Sequence, residues 1–237
     1  MDRLSMARIL CVLLTALPLL VVACGPAGDA LPEAVHGTSD SATAQAEHGT
    51  SLPRIVFLGD SLTAGLGLRR EETVPALIQA HLDGEGYAYE VVNAGVSGDT
   101  AAGGLSRLDW SLEGDAVILV VELGANDGLR GLPVSQLRHN LSEVIGRAQQ
   151  RGVTVVLTGM EAPPNYGVAY TSEFRRVFLE LADEYDVAFV PFFLEGVAGI
   201  PSLNNADGMH PNSSGAQVVA ETVWQVLKPV VEAQQVQ

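Results

Sequence analysis

The chain has 237 residues with 13 Lys plus Arg against 28 Asp plus Glu, a formal net charge of -15, and 47% hydrophobic residues. So acidic a chain repels a phosphate backbone, and no nucleic-acid partner is expected. Its two cysteines, Cys11 and Cys24, both lie near the amino terminus, which excludes structural disulfides, a thiol nucleophile and thiolate metal sites from everything downstream.

Residues 1–23 place Arg3 and Arg8 ahead of an apolar run, 9–22, that only Thr15 and Pro18 interrupt. That run is short for a bilayer span and has the layout of a secretion signal. Its end, Val21-Val22-Ala23-Cys24-Gly25, resembles the lipobox of bacterial lipoproteins, in which the cysteine is acylated after cleavage. An ordinary small-residue cleavage site is the alternative. The expectation is an exported protein of the bacterial cell envelope, anchored to a membrane through Cys24 without spanning it. Residues 24–53 are rich in Gly, Ala, Ser, Thr and acids and carry no helical or strand period, so they read as a flexible linker, with an end-to-end distance on the order of 30 Å.

Residues 54–237 suffice for one domain with a sizeable core. Predicted strands at 55–59, 89–93, 116–122, 154–158 and 188–190 are short apolar runs, several of them Val/Ile-rich on consecutive positions, as in strands buried on both faces. Predicted helices lie between and after them at 74–82, 100–108, 134–151, 172–185 and 214–227. The third has the clearest period, with Val134, Leu137, Leu141, Val144, Ile145 and Ala148 on one face. Alternation of this kind predicts a three-layer α/β/α fold with a flavodoxin-like five-stranded parallel sheet, whose site lies at the carboxyl ends of the strands.

The residues after those strands carry chemistry. The first strand runs into Gly59-Asp60-Ser61-Leu62, a turn that presents a serine hydroxyl, though the same residues serve equally as a helix cap. After the second comes the glycine-rich turn Asn93 to Thr100, whose free N–H groups suit an anion, with Gly98 the natural oxyanion donor. Gly124-Ala125-Asn126-Asp127 follows the third and offers an uncharged amide donor, although such clusters are commonly plain turns. Of five histidines, His36 and His48 fall in the linker and His81 and His139 on predicted helices. His210 alone sits in a loop after the last strand, as Asp207-Gly208-Met209-His210-Pro211, where Asp207 can orient the imidazole toward Ser61. Half a metal site is the other reading of Asp-x-x-His, but no further ligand cluster completes one, so no metal is expected.

These four blocks, in this order, resemble the GDSL or SGNH hydrolase family from about Arg54 to Pro229. Within it, Pro164-Asn165-Tyr166-Gly167 and the run from Val121 to Gly131 are similar to exported bacterial esterases with thioesterase, arylesterase and lysophospholipase activity. The resemblance implies that Ser61 is the nucleophile, His210 the general base and then acid, and Asp207 its orienting partner. It also implies an oxyanion hole made of the Ser61 and Gly98 N–H groups and the Asn126 amide. Ala125 departs from the second glycine usual in that subgroup. No cofactor is implied, and the substrate is a small-molecule acyl ester or lysophospholipid of short to medium chain, with thioesters included. Leu129, Leu132, Pro163, Pro164 and Tyr166 are candidates for an apolar trough and Arg130 for an anionic headgroup, with loop packing as the alternative. Two rival functions stand beside this one: sugar O-acetyl ester hydrolysis on the same residues, and a non-enzymatic flavodoxin-like module binding phosphate or flavin. An α/β-hydrolase would carry G-x-S-x-G, which is absent. Trp110 and Trp224 are expected to pack against the sheet.

Overall fold

The computed structural model describes residues 52–235. The leader, Cys24 and the linker up to Ser51 lie outside the described residues. Five strands, β1 (Arg54–Gly59), β2 (Glu90–Gly95), β3 (Ala116–Glu122), β4 (Thr154–Thr158) and β5 (Ala188–Val190), form one parallel sheet in the order β2-β1-β3-β4-β5. This is the expected flavodoxin-like order. The three central strands are buried at nearly every position, whereas β2 at the edge is largely accessible. Continuous apolar runs mark the former because both faces are covered.

Among the described residues there are eight α-helices, in chain order α1 (Ser61–Ala64), α2 (Val74–Glu85), α3 (Ala101–Ser106), α4 (Leu108–Ser111), α5 (Ala125–Leu129), α6 (Val134–Gln150), α7 (Gly167–Glu184) and α8 (Ser213–Gln234). Helices α2 and α8 pack together, as do α3 with α6 and α6 with α7, giving the layers on either side of the sheet. The predicted apolar face of α6 is buried throughout. Capping fixes several starts: the Thr73 hydroxyl accepts from the Ala76 N–H, and the Asn212 side chain from Ser214 and Gly215.

Some boundaries differ from expectation for identifiable reasons. The ladder of β2 continues to Gly95, opposite Gly59, and Gly95 is required there because a Cβ would fall 2.3 Å from the Ala64 nitrogen. A single predicted helix at 100–108 is two short ones, broken at Arg107. Trp110 on the one-turn α4 is 66% exposed and not packed on the sheet, because so short a helix turns only Leu108 and Ser111 inward. Trp224 is buried and stacks on His81 with ring centroids 5.3 Å apart.

Every strand runs the same way, so the sheet has two unlike poles. Arg54 starts β1 at one pole, and α8 returns there, its Gln234 amide bonding the Thr154 hydroxyl at the start of β4. Gly59, Gly95, Glu122, Thr158 and Val190 end their strands at the opposite pole.

Candidate active site

The Ser61 turn is built from β1 outward. After Gly59 the chain enters α1, and the Asp60 carboxylate caps it by accepting from the Leu62 N–H at 3.0 Å. Left-handed Gly65, with φ 78°, ends the single turn. Ser61 is therefore the first helical residue, set at the carboxyl end of β1.

His210 reaches this turn from the segment before α8. That segment closes on itself through the Asn204–Pro211 bridge and the Asn205 N–H, which donates to the His210 carbonyl at 2.8 Å. Gly208, with φ 71°, permits the turn. Asp207 Oδ1 accepts the Met209 and His210 N–H groups at 2.9 and 3.0 Å, and Oδ2 lies 2.8 Å from His210 Nδ1. A carboxylate can only accept, so the imidazole hydrogen belongs on Nδ1 and Nε2 is free to accept from Ser61. Ser61 Oγ is 2.9 Å from Nε2. The backbone donors of His210 and Met209, followed by the imidazole itself, lower Asp207 to about 2.

Asn126 lies in α5, which begins after Gly124 at φ 117°. Its Nδ2 donates to Asp60 Oδ2 at 3.0 Å, leaving the second hydrogen of the same amide for another acceptor. Burial raises Asp60, against the opposing effect of the Leu62 N–H and the Asn126 amide. Gly98, with φ 88°, lies on the 96–100 loop. Two residues of the α5 region hold that loop: Asp127 accepts from the Ala101 N–H at 2.8 Å, and Arg130 donates to the Gly98 carbonyl at 2.8 Å. The contact found for Arg130 is thus with the backbone of the chain itself.

Sequence reading passed over Arg107. Its guanidinium is 15% exposed and donates to Asp99 Oδ2 at 2.6 Å, the Ala94 carbonyl at 2.6 Å and the Gly59 carbonyl at 2.8 Å. One side chain thus ties together the ends of β1 and β2 and the start of the glycine-rich loop. Nothing in its local sequence marks it, since the carbonyls of Ala94 and Gly59 lie 13 and 48 residues away in the chain.

Ser61, Asn126 and His210 line one cavity of about 370 Å3. Of the trough candidates, Leu129, Pro163 and Pro164 line it, whereas Leu132 and Tyr166 do not; the headgroup candidate Arg130 and the oxyanion candidate Gly98 lie outside its lining as well. The Tyr166 hydroxyl instead donates to the Leu129 carbonyl at 2.9 Å, and its ring packs on Gly131. Met160 stands at the start of the loop that carries Pro163 and Pro164, and Phe192, Leu194 and Met209 add apolar lining that was not anticipated. The rule that found Ser61 applies to them too, because Met160 follows β4 and Phe192 follows β5. A broader hollow of about 660 Å3 at the opposite pole has Asp186 as its one ionisable lining residue.

This geometry can be set beside known proteins. The GDSL-like Lipase/Acylhydrolase family matches residues 57–218. Esterase TesA of Pseudomonas aeruginosa is 46% identical over 178 residues, covering 75% of this chain and 89% of the relative. Thioesterase 1/protease 1/lysophospholipase L1 of Escherichia coli is 35% identical over 178 residues, covering 75% and 84%. Among solved structures, the psychrotrophic esterase EstA of Pseudoalteromonas, inhibited by monoethylphosphonate, aligns with a TM-score of 0.72 and 33% identity over 76% of this chain and 98% of that one. The non-enzymatic phosphate- or flavin-binding reading is thereby set aside, and the chain belongs to the GDSL-like lipase/acylhydrolase family as a serine esterase.

Proposed function

We propose that Ser61 is the acylated nucleophile of this esterase, with His210 as general base and then acid and Asp207 as the group that orients and stabilises the imidazolium. The observation that carries the reading is the continuous chain from Ser61 Oγ to His210 Nε2 at 2.9 Å and from Nδ1 to Asp207 at 2.8 Å, at the mouth of an apolar cavity. Ser61 attacks the ester carbonyl as its proton passes to Nε2. The resulting oxyanion is met by the Ser61 and Gly98 N–H groups and the free hydrogen of Asn126. The leaving alcohol or thiol takes the proton from His210, and water repeats the sequence on the acyl-enzyme.

The acyl chain occupies the cavity between Leu129, Met160, Pro163 and Leu194. A space of about 370 Å3 with apolar walls suits a short to medium chain. Its mostly apolar lining, in which Glu161 is the one carboxylate, supports an extended acyl chain over the two-carbon acetyl group of an O-acetyl sugar. The name of the Escherichia coli relative supports thioesters and lysophospholipids as further acyl donors. Export and lipid attachment at Cys24 remain part of this proposal on the strength of the leader sequence. Among the described residues no helix is long and apolar enough to cross a membrane.

The test is nitrophenol release from esters of increasing acyl length by wild type, Ser61→Ala and His210→Ala. We expect turnover to peak within the short to medium range and to fall by about 10³-fold or more in both variants. A phosphonate ester should leave its phosphonyl group on wild type, with release of its alcohol, and not on Ser61→Ala. Turnover that survives Ser61→Ala would refute the assignment.

A further inference from the structure

Beneath the Ser61 turn lies a second acid that the reaction just described does not use. Glu122 ends β3, and the sheet register sets it beside Gly59. Its side chain is fully buried. Oε2 accepts the Thr63 hydroxyl at 2.8 Å and the Asp60 N–H at 3.3 Å, while Oε1 is sealed from solvent with no hydrogen-bonding partner. The fit around it is close: a Cβ on Gly59 would fall 2.6 Å from Oε2 and 2.0 Å from Thr63 Oγ1. Glycine is required there because Glu122 and Thr63 fill the space.

Two carboxyl groups are thus enclosed side by side, and their surroundings differ. Asp60 takes the Leu62 N–H and the Asn126 amide and lies within electrostatic reach of His210. Glu122 forms no ion pair among the described residues, and one of its oxygens has no donor at all. Burial, reinforced by the charge of Asp60, raises Glu122 well above the ordinary carboxylate range. A buried anion without a cation is costly, and a second one beside the first more so. Of the two, Glu122 is the one that its surroundings favour more strongly in the neutral form.

We propose that Glu122 is a positioning residue for ester hydrolysis, a neutral acid that grips the turn at the Asp60 N–H and the Thr63 hydroxyl. It thereby fixes Ser61 and, through Asp60, the Asn126 amide. This deepens the assignment of Ser61 and Asn126 above and rests on it. Two consequences follow from elementary physics. Loosening the grip displaces the nucleophile and an oxyanion donor together, and misplacement by about 1 Å can cost on the order of 10²-fold in rate. Neutrality matters as well, because a second anion beside Asp60 would add to the charge that opposes the one developing on the substrate.

Glutamine is the neutral isostere of such an acid, with an acceptor and a donor in the same places, and leucine is neither. The experiment compares full-length wild type, Glu122→Gln and Glu122→Leu, with Ser61→Ala as a separate control. We expect Glu122→Gln to keep kcat within about three-fold of wild type and Glu122→Leu to lose about 10- to 100-fold in kcat with KM little changed. In the infrared, wild type minus Glu122→Gln should show a protonated-carboxyl stretch at neutral pH. Full activity in Glu122→Leu, or equal damage in both variants, would overturn the proposal. If Glu122→Leu does not fold, the infrared difference decides alone, and absence of the band overturns it. Activity surviving Ser61→Ala would instead overturn the nucleophile assignment, whatever the Glu122 variants do.

Discussion

Asp207 holds its charge without being buried. Two backbone N–H groups and the imidazole converge on its carboxylate and lower it to about 2, against an ordinary value of about 3.9. A group whose folded value is depressed adds stability that is complete above the unfolded value and disappears as pH falls through the folded one. The window here is therefore between about pH 4 and pH 2. We expect wild type to be more stable than Asp207→Asn by a constant margin above about pH 4, with the two converging near pH 2, as read from urea midpoints at each pH. Activity should behave differently. Loss of the orienting carboxylate should lower kcat by about 10² to 10⁴-fold at neutral pH, far from that window. A wild-type acid limb in kcat that begins above about pH 4 cannot be assigned to Asp207.

At the scale of elements, α8 tests a common reading rule. Pro229 lies inside the helix, so its missing N–H leaves one carbonyl of the preceding turn unpaired. The helix nevertheless continues to Gln234, because Val231 beyond the proline is fully buried. Tertiary burial outweighs the local break. Pro229→Ala should stabilise the domain by about 1 to 3 kcal/mol, the gain in the helix being offset in part by a freer unfolded chain, and should raise the urea midpoint without changing its slope. The same proline explains why the sequence predicts an end at Leu227. Long periodic elements such as α6 and the apolar strands were legible because their patterns extend over several turns or a whole strand. One-turn helices α1 and α5 were not, since four or five residues cannot display a period. Within the site, Ser61, Asn126 and His210 were legible from strand ends and elimination. Arg107, Glu122 and the far wall at Phe192 and Leu194 were hidden, because their roles depend on partners that only folding brings near.

For the whole molecule, the net charge of -15 and the leader sequence bear on where the domain works. A strongly acidic protein gains nothing electrostatically from an anionic lipid surface, so the proposed membrane attachment rests on the acyl group at Cys24 alone. Cys24→Ser expressed in a bacterial host should move esterase activity from the membrane pellet to the soluble exported fraction, with turnover of soluble esters unchanged. Persistence in the pellet would mean that something other than Cys24 holds it there.

Chain entry and catalytic mouth lie at opposite poles of the sheet, Arg54 at the one and Ser61 at the other. An attachment made on the amino-terminal side of Arg54, whether to a bilayer or to a chromatography bead, therefore joins the domain on the face away from the opening and leaves that opening unobstructed.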